Sequence, residues 1–188
     1  MQMRELKDLI RVYDGALSAE TCKTLRAAFE DLADFQQRNG AGVRPALDDS
    51  AWNELDLNRH GDIATKAFFL AQVQKYHQQY NAEVGLSLPV SPVRRLAELI
   101  MKRYKAENNE KFQIHFDALG AVANRYLVFL WYLNDVDGGG ETSFPDIGVD
   151  IAPKEGRLVV FPPYWMFQHA GLPPRKGSKY ILSTYLLY

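Results

Sequence analysis

The second half of this chain cannot be built from helices. Between Leu96 and Leu187 the apolar residues come in short runs: Lys111–Phe116, Arg125–Leu133, Arg157–Phe161 and Tyr180–Leu187. Gly138-Gly139-Gly140, Pro145, Pro153, Pro162-Pro163 and Pro173-Pro174 cut them apart. Glycine and proline at this density end helices, and β-branched and aromatic residues in short runs read as strands of a sandwich or barrel. A further strand is expected over Leu96–Lys105. The longest apolar run, Tyr126 to Leu133, suits a strand buried on both faces and falls far short of the roughly twenty residues that span a bilayer.

The first half has a different period. Ser18 is placed to cap a helix from Ala19 to about Arg38, with Leu25, Ala28, Phe29, Leu32 and Phe35 on one stripe. Asn39-Gly40-Ala41-Gly42 would end it. Residues 43–61 carry Pro45, several Asp and Asn, and Gly61, and read as loop. Asp62 would cap a second long helix to about Val84, which Gly85 and Pro89 stop. Helices first and strands later predict an α+β fold: one domain over 1–188, with a helical layer to about 95 and a strand-built core from about 96.

Composition narrows the function classes. The chain has 188 residues, 47 % apolar and 24 % charged, and a net charge of −1. That argues against a general nucleic-acid or membrane-surface partner. The single cysteine, Cys22, excludes an intrachain disulfide, and no charged leader with an apolar stretch stands out, so a reducing, cytoplasmic setting is expected. Oligomeric state leaves no sequence signal.

Two of the four histidines stand in a spacing that carries chemistry. His115 and Asp117 form His-Phe-Asp, and His169 follows about fifty residues later. On a strand, positions i and i+2 share a face, so His115 and Asp117 can reach one ion while Phe116 turns away. Two imidazoles and one carboxylate are the ligand set of a non-haem Fe(II) site with open coordination positions. The competing reading is that the two histidines are separate, satisfied polar residues. Lys179 opens the last strand and would sit deep in the barrel, where an ammonium needs an anionic partner. Its neighbours Arg175 and Lys176 read as surface residues. Trp52 and Trp131 read as packing or rim residues, and His60 and His77 as bland.

Taken in order, these features resemble the prolyl 4-hydroxylase-like Fe(II)/2-oxoglutarate dioxygenases. The resemblance rests on His115-Phe-Asp117, Arg125 opening the run to Tyr132, Gly139-Gly140-Glu141-Thr142 before Phe144-Pro145, and Pro153 to Leu158 with Phe161. His169-Ala-Gly and Gly177-Ser-Lys179 complete it. It implies a double-stranded β-helix (jelly roll) core with the N-terminal helices packed on one face. It implies Fe(II) on His115, Asp117 and His169, with 2-oxoglutarate and O2 as cosubstrates. Lys179 would pair with the distal carboxylate of 2-oxoglutarate, and Tyr132, Ser183 and Tyr104 match positions that assist. Phe112, Arg125, Trp165 and Tyr185 would border the mouth and meet the acceptor. That acceptor is expected to be a prolyl residue in a peptide or protein. A free amino acid or other small molecule is the rival, with Arg125 holding its carboxylate, and a non-catalytic metal-binding jelly roll is the reading from another class.

Overall fold

The computed structural model describes residues 5–92 and 95–188. Its centre is β7 (Arg125–Tyr132), whose neighbours were recruited from across the chain. In chain order the strands are β1 (Arg11–Tyr13), β2 (Gln37–Gly40), β3 (Ala51–Asp56), β4 (Arg95–Leu96), β5 (Ile100–Lys105), β6 (Phe112–His115) and β7. They continue with β8 (Thr142–Phe144), β9 (Val149–Ile151), β10 (Leu158–Phe161), β11 (His169–Gly171) and β12 (Ser178–Leu187). The helices are α1 (Ala19–Asp31), α2 (Leu57–His60) and α3 (Ile63–Val84). A major sheet runs β1-β10-β7-β12-β5-β3-β2, with β4 also on β12, and a minor sheet runs β6-β11-β8-β9. All the pairings are antiparallel. This is the expected jelly roll with helices on one face.

Strand alternation divides the core into two layers. Leu127, Phe129 and Trp131 of β7, Leu158 and Val160 of β10, and Leu182 and Leu186 of β12 pack with Phe29 of α1 and Phe69, Val73, Tyr76 and Tyr80 of α3. Val128, Leu130 and Tyr132, with Val159, Phe161, Ile181 and Tyr185, fill the space toward the minor sheet together with Phe144, Ile151 and Phe167. Both faces of β7 are therefore buried, which is why it reads as an unbroken apolar run. Phe29 and Phe69 are fully buried, and each contributes roughly 1.5–3 kcal/mol by leaving water. Phe69 meets Trp131 edge to face, with ring centroids 5.2 Å apart.

Capping follows the sequence. The Ser18 hydroxyl accepts from Thr21 N, the Asp62 carboxylate accepts from Thr65 N, and Gly85 ends α3 at φ +60°. Three expectations fail. The first helix stops at Asp31 rather than near Arg38, because its stripe runs out: Phe35 is half exposed, and its ring stacks on His60. The N-terminal part is also not purely helical. β1 extends one edge of the major sheet, and the hairpin of β2 and β3 extends the other, where a loop over 43–61 was expected. Trp52, Glu54 and Asp56 share one face of β3, and the polar pair among them disguises the alternation. The expected strand over 96–105 is two strands, with Leu99 holding Leu57 N in between.

Candidate active site

His115 closes β6 and His169 opens β11, and the two are directly opposed in the antiparallel register. The structure puts them side by side in the minor sheet, with ring centroids 4.3 Å apart. Asp117 lies just beyond β6. Its Oδ1 is 3.4 Å from His115 Nε2 and its Oδ2 is 3.5 Å from His169 Nε2. One ligand atom from each residue falls within 4.8 Å of the others.

The surroundings aim these atoms inward. His115 Nδ1 bonds to the Gln113 carbonyl at 2.8 Å and His169 Nδ1 to the Phe167 carbonyl at 3.0 Å. A carbonyl can only accept, so Nδ1 carries the proton and Nε2 keeps its lone pair for a metal. Burial, and then the neighbouring His115, lowers the His169 pKa to about 4. That imidazole is neutral at pH 7, as a metal ligand must be. For Asp117, burial pushes the pKa up, but the two imidazoles and Lys102 outweigh it and hold the carboxyl well below the usual range. Backbone contacts fix the Asp117 turn: the Asp117 and Ala118 amides both donate to the Pro163 carbonyl. Arg125 Nη1 donates to the Asp117 carbonyl at 3.2 Å. Two imidazole nitrogens and one carboxylate oxygen fit Fe(II) and leave coordination positions open.

The triad borders a narrow cavity of about 30 Å3. Its walls include Tyr104, Thr142, Phe161, Gly171, Lys179 and Ser183. Strand β12 supplies one wall by strict alternation, with Lys179, Ile181, Ser183 and Tyr185 at every second position. Lys179 is 2 % exposed. Its ammonium donates to the carbonyls of Gly140 at 3.1 Å and Leu172 at 3.0 Å, and lies 4.5 Å from the Tyr104 ring centroid. Burial lowers its pKa to about 7, against the opposing charge of Glu141. Arg175 is exposed, and Lys176 pairs with Asp137 at the surface.

The remaining site residues divide. Phe112 stacks on His115, with centroids 3.7 Å apart and planes 10° apart. Tyr185 is more than a rim residue: its hydroxyl donates to Asp117 Oδ1, and the Arg125 guanidinium lies 3.8 Å from its ring centroid. Burial and then the Asp117 charge push the Tyr185 phenol far up, so it stays a donor. The Tyr132 hydroxyl does not line the cavity. It bonds to Thr142 Oγ1, donates to the Ile151 carbonyl at 3.0 Å and accepts from Thr142 N at 3.1 Å. Thr142 is thus the wall residue and Tyr132 its support. Trp165 is 65 % exposed and lies off the lining of this cavity and of the cleft beyond it.

That cleft, about 430 Å3, shares Lys102, Phe112, Asp117, Ser183 and Tyr185 with the cavity and opens outward between β3, β5 and Arg125. Sequence reasoning missed Thr142 and Lys102. The alternation of β5 carried the signal for Lys102, since a residue two before Tyr104 shares its face.

Comparison with known proteins agrees with this geometry. The model of the 2OG-Fe(II) oxygenase superfamily matches residues 99–187. Prolyl 4-hydroxylase subunit alpha-2 of Gallus gallus is 29 % identical over 126 residues, covering 58 % of this chain and 22 % of that protein. Probable prolyl 4-hydroxylase 11 of Arabidopsis thaliana is 40 % identical over 90 residues, covering 43 % and 30 %. The chain therefore spans less than a third of the length of these curated relatives. A prolyl hydroxylase of Trichoplax adhaerens, solved in complex with a hypoxia inducible factor oxygen degradation domain peptide fragment, superposes with a TM-score of 0.74 at 14 % identity. It covers 96 % of this chain and 84 % of that one, a likeness of fold.

Over its strand-built half the chain is thus similar to the 2OG-Fe(II) oxygenases, and its two imidazoles and one carboxylate are a ligand set that fits Fe(II). The curated relatives that it resembles there are prolyl 4-hydroxylases.

Proposed function

We propose that this protein hydroxylates an unactivated C–H of a prolyl residue in a peptide or protein. The observation that carries the reading is the position of the triad. It sits at the join between a small cavity with a buried cation and a larger cleft, and Asp117 lines both. Fe(II) with 2-oxoglutarate and O2 supplies the oxidising power, converting C–H to C–OH as the 2-oxoglutarate becomes succinate and CO2.

His115, Asp117 and His169 would hold the iron. Lys179 would receive the distal carboxylate of 2-oxoglutarate, exchanging its two carbonyl partners for a charge. Thr142 and Ser183 would offer hydroxyls along the way, Tyr132 would hold Thr142 in place, and the Tyr104 ring would flank the ammonium. Phe161 and Leu130 keep the cavity apolar around these groups, which strengthens the charge pairing and excludes water. The acceptor would enter by the cleft, past Phe112, Tyr185 and Arg125.

The peptide reading is supported by the likeness to prolyl 4-hydroxylases. The free amino acid reading leaned on Arg125 as a carboxylate holder, but that guanidinium is occupied by the Asp117 carbonyl and the Tyr185 ring. No described helix is long and apolar enough to cross a membrane, and the buried, unpaired Cys22 suits a reducing, cytoplasmic setting.

Incubation with Fe(II), 2-oxoglutarate, O2 and proline-containing peptides tests the proposal. Peptides gaining about 16 Da on proline, one oxygen atom, support it. Oxygen gained only by free amino acids or other small molecules would overturn the prolyl assignment and leave the oxygenase assignment standing.

A further inference from the structure

Lys102 is a cation beside the metal site that the scheme above does not use. It sits on the inner face of β5 between Ile100 and Tyr104, and it lines both the cavity and the cleft. Its ammonium lies 5.6 Å from the Trp52 ring centroid and 5.5 Å from that of Phe112. Phe112 in turn stacks on His115. One aromatic ring therefore separates this charge from a metal ligand.

Lys102 has no carboxylate of its own. Across the sheet its register partner on β3 is Glu54, but Glu54 accepts from Trp52 Nε1 at 2.8 Å and from Arg44 Nη2 at 3.3 Å. The other cations of the cleft are also engaged. Arg59 pairs with Asp56 at 3.3 Å, and Arg125 holds the Asp117 carbonyl. Among the described residues, Lys102 has neither a hydrogen-bond partner nor an ion pair, only two ring faces. A half-buried ammonium held this way is poorly compensated. Burial accordingly lowers its pKa, opposed mainly by Glu54.

We infer that Lys102 anchors the acceptor by pairing with a carboxylate that the acceptor carries close to the reacting C–H. This rests on the oxygenase reading of the site and deepens it, since it makes the preferred acceptor anionic near the target residue. The carboxylate has two possible sources: an acidic side chain beside the target proline, or a free C-terminal carboxylate. The Trp52 and Phe112 faces would flank the paired groups and keep water off them, and the acceptor chain would be drawn across the mouth above His115 and Asp117.

The test is direct binding, independent of turnover. The full chain is loaded with Mn(II) and N-oxalylglycine, and labelled peptides are titrated by fluorescence anisotropy. One pair is capped Ala-Pro-Glu-Ala and its Gln isostere. The other is Ala-Ala-Pro with a free or an amidated C-terminus. In the wild type, at least one carboxylate peptide is expected to bind about tenfold or more tightly than its neutral partner, a charge pair worth about 1.4 kcal/mol. In Lys102→Met, which keeps the apolar stem between the rings, the ratio should fall to near one while the neutral peptide changes little. In Lys102→Glu it should invert. Lys102→Gln replaces the Met variant if a melting curve shows that protein unfolded.

Equal affinities within both wild-type pairs, undetectable binding included, overturn the proposal, as does a preference that survives in Lys102→Met. Hydroxylation of the same peptides under Fe(II), 2-oxoglutarate and O2 separates this from the prolyl reading. Binding that depends on Lys102 without hydroxyproline keeps the anchor and overturns the prolyl assignment. Hydroxyproline with no charge preference does the reverse.

Discussion

The Tyr185 hydroxyl donates to Oδ1 of Asp117 across 3.2 Å, from the strand that also carries Lys179. Strand β12 therefore contributes to the proposed site twice: at one end a cation that would receive the cosubstrate, and six residues on a donor that would orient the carboxylate offered to the metal. Removing such an outer partner typically costs 10–100-fold in metal affinity. Tyr185→Phe is expected to weaken Fe(II) or Mn(II) binding within that range, read by anaerobic metal titration. The fold should persist, because the ring still packs between Val128 and Arg125. Unchanged metal affinity would reduce Tyr185 to a wall residue.

Lys179 offers a proton-counting test. Its pKa in the ligand-free protein is lowered to about 7 from an ordinary 10.5. A carboxylate arriving beside it favours the charged form and raises that value. At pH 8, binding of 2-oxoglutarate should therefore take up close to one proton, measured by calorimetry in buffers of different ionisation enthalpy. In Lys179→Ala the uptake should vanish, and affinity should fall by roughly 3–5 kcal/mol, the cost of breaking a buried charge pair. The stability sign follows from the same shift. Between pH 7 and 10.5 the unfolded chain binds more protons than the folded one, so ligand-free stability from this group rises with pH across that window. Saturating 2-oxoglutarate should flatten the rise.

Tyr132→Phe separates support from contact. The hydroxyl satisfies Thr142 N and the Ile151 carbonyl inside the core. Leaving two buried backbone groups unpaired costs about 1–3 kcal/mol each. The variant should therefore lose stability in urea by that order. It should weaken 2-oxoglutarate binding less than Lys179→Ala does, since the cavity contact belongs to Thr142. A loss equal to that of Lys179→Ala would put the Tyr132 hydroxyl on the cosubstrate.

Gly156 is a backbone position that leaves no room for a side chain. Its φ is +76°, and an added Cβ would lie 2.2 Å from the Leu17 carbonyl oxygen. Leu17 N also donates to the Gly156 carbonyl, tying the start of α1 to the turn before β10. Gly156→Ala combines a left-handed backbone with a backbone clash, and should cost on the order of 3 kcal/mol or more, measured by chemical denaturation. Gly148→Ala meets open space and should cost only the left-handed penalty of about 1–2 kcal/mol.

The clustering of His115, Asp117 and His169 and the central strand were legible in the sequence because each rests on a local rule. Coordination chemistry fixes His-x-Asp with a distant His, and burial on both faces makes β7 apolar throughout. The β2–β3 hairpin was hidden because one of its faces borders the cleft. Glu54 and Asp56 are polar for that reason, and the segment resembled a loop. The first helix was extended too far because Phe35 kept the apolar period after burial had ended. The contacts of Tyr185 and Tyr132 were not legible. Which hydroxyl meets Asp117, and which only holds Thr142, depends on pairing between β12, β7 and β8 that no short motif encodes. Trp165, an aromatic in a proline-rich turn beside His169, projects into solvent instead of toward the cleft.

The central claim is that His115, Asp117 and His169 form a working Fe(II) site served by Lys179. Succinate released from 2-oxoglutarate, measured with added Fe(II) and a proline-containing peptide alongside the mass of that peptide, tests it most directly. The wild type should release succinate only with iron present, in step with hydroxylated product. Asp117→Ala and His169→Ala should release none while keeping the wild-type circular dichroism spectrum. Iron-dependent succinate formation at the wild-type rate in either variant would contradict the account.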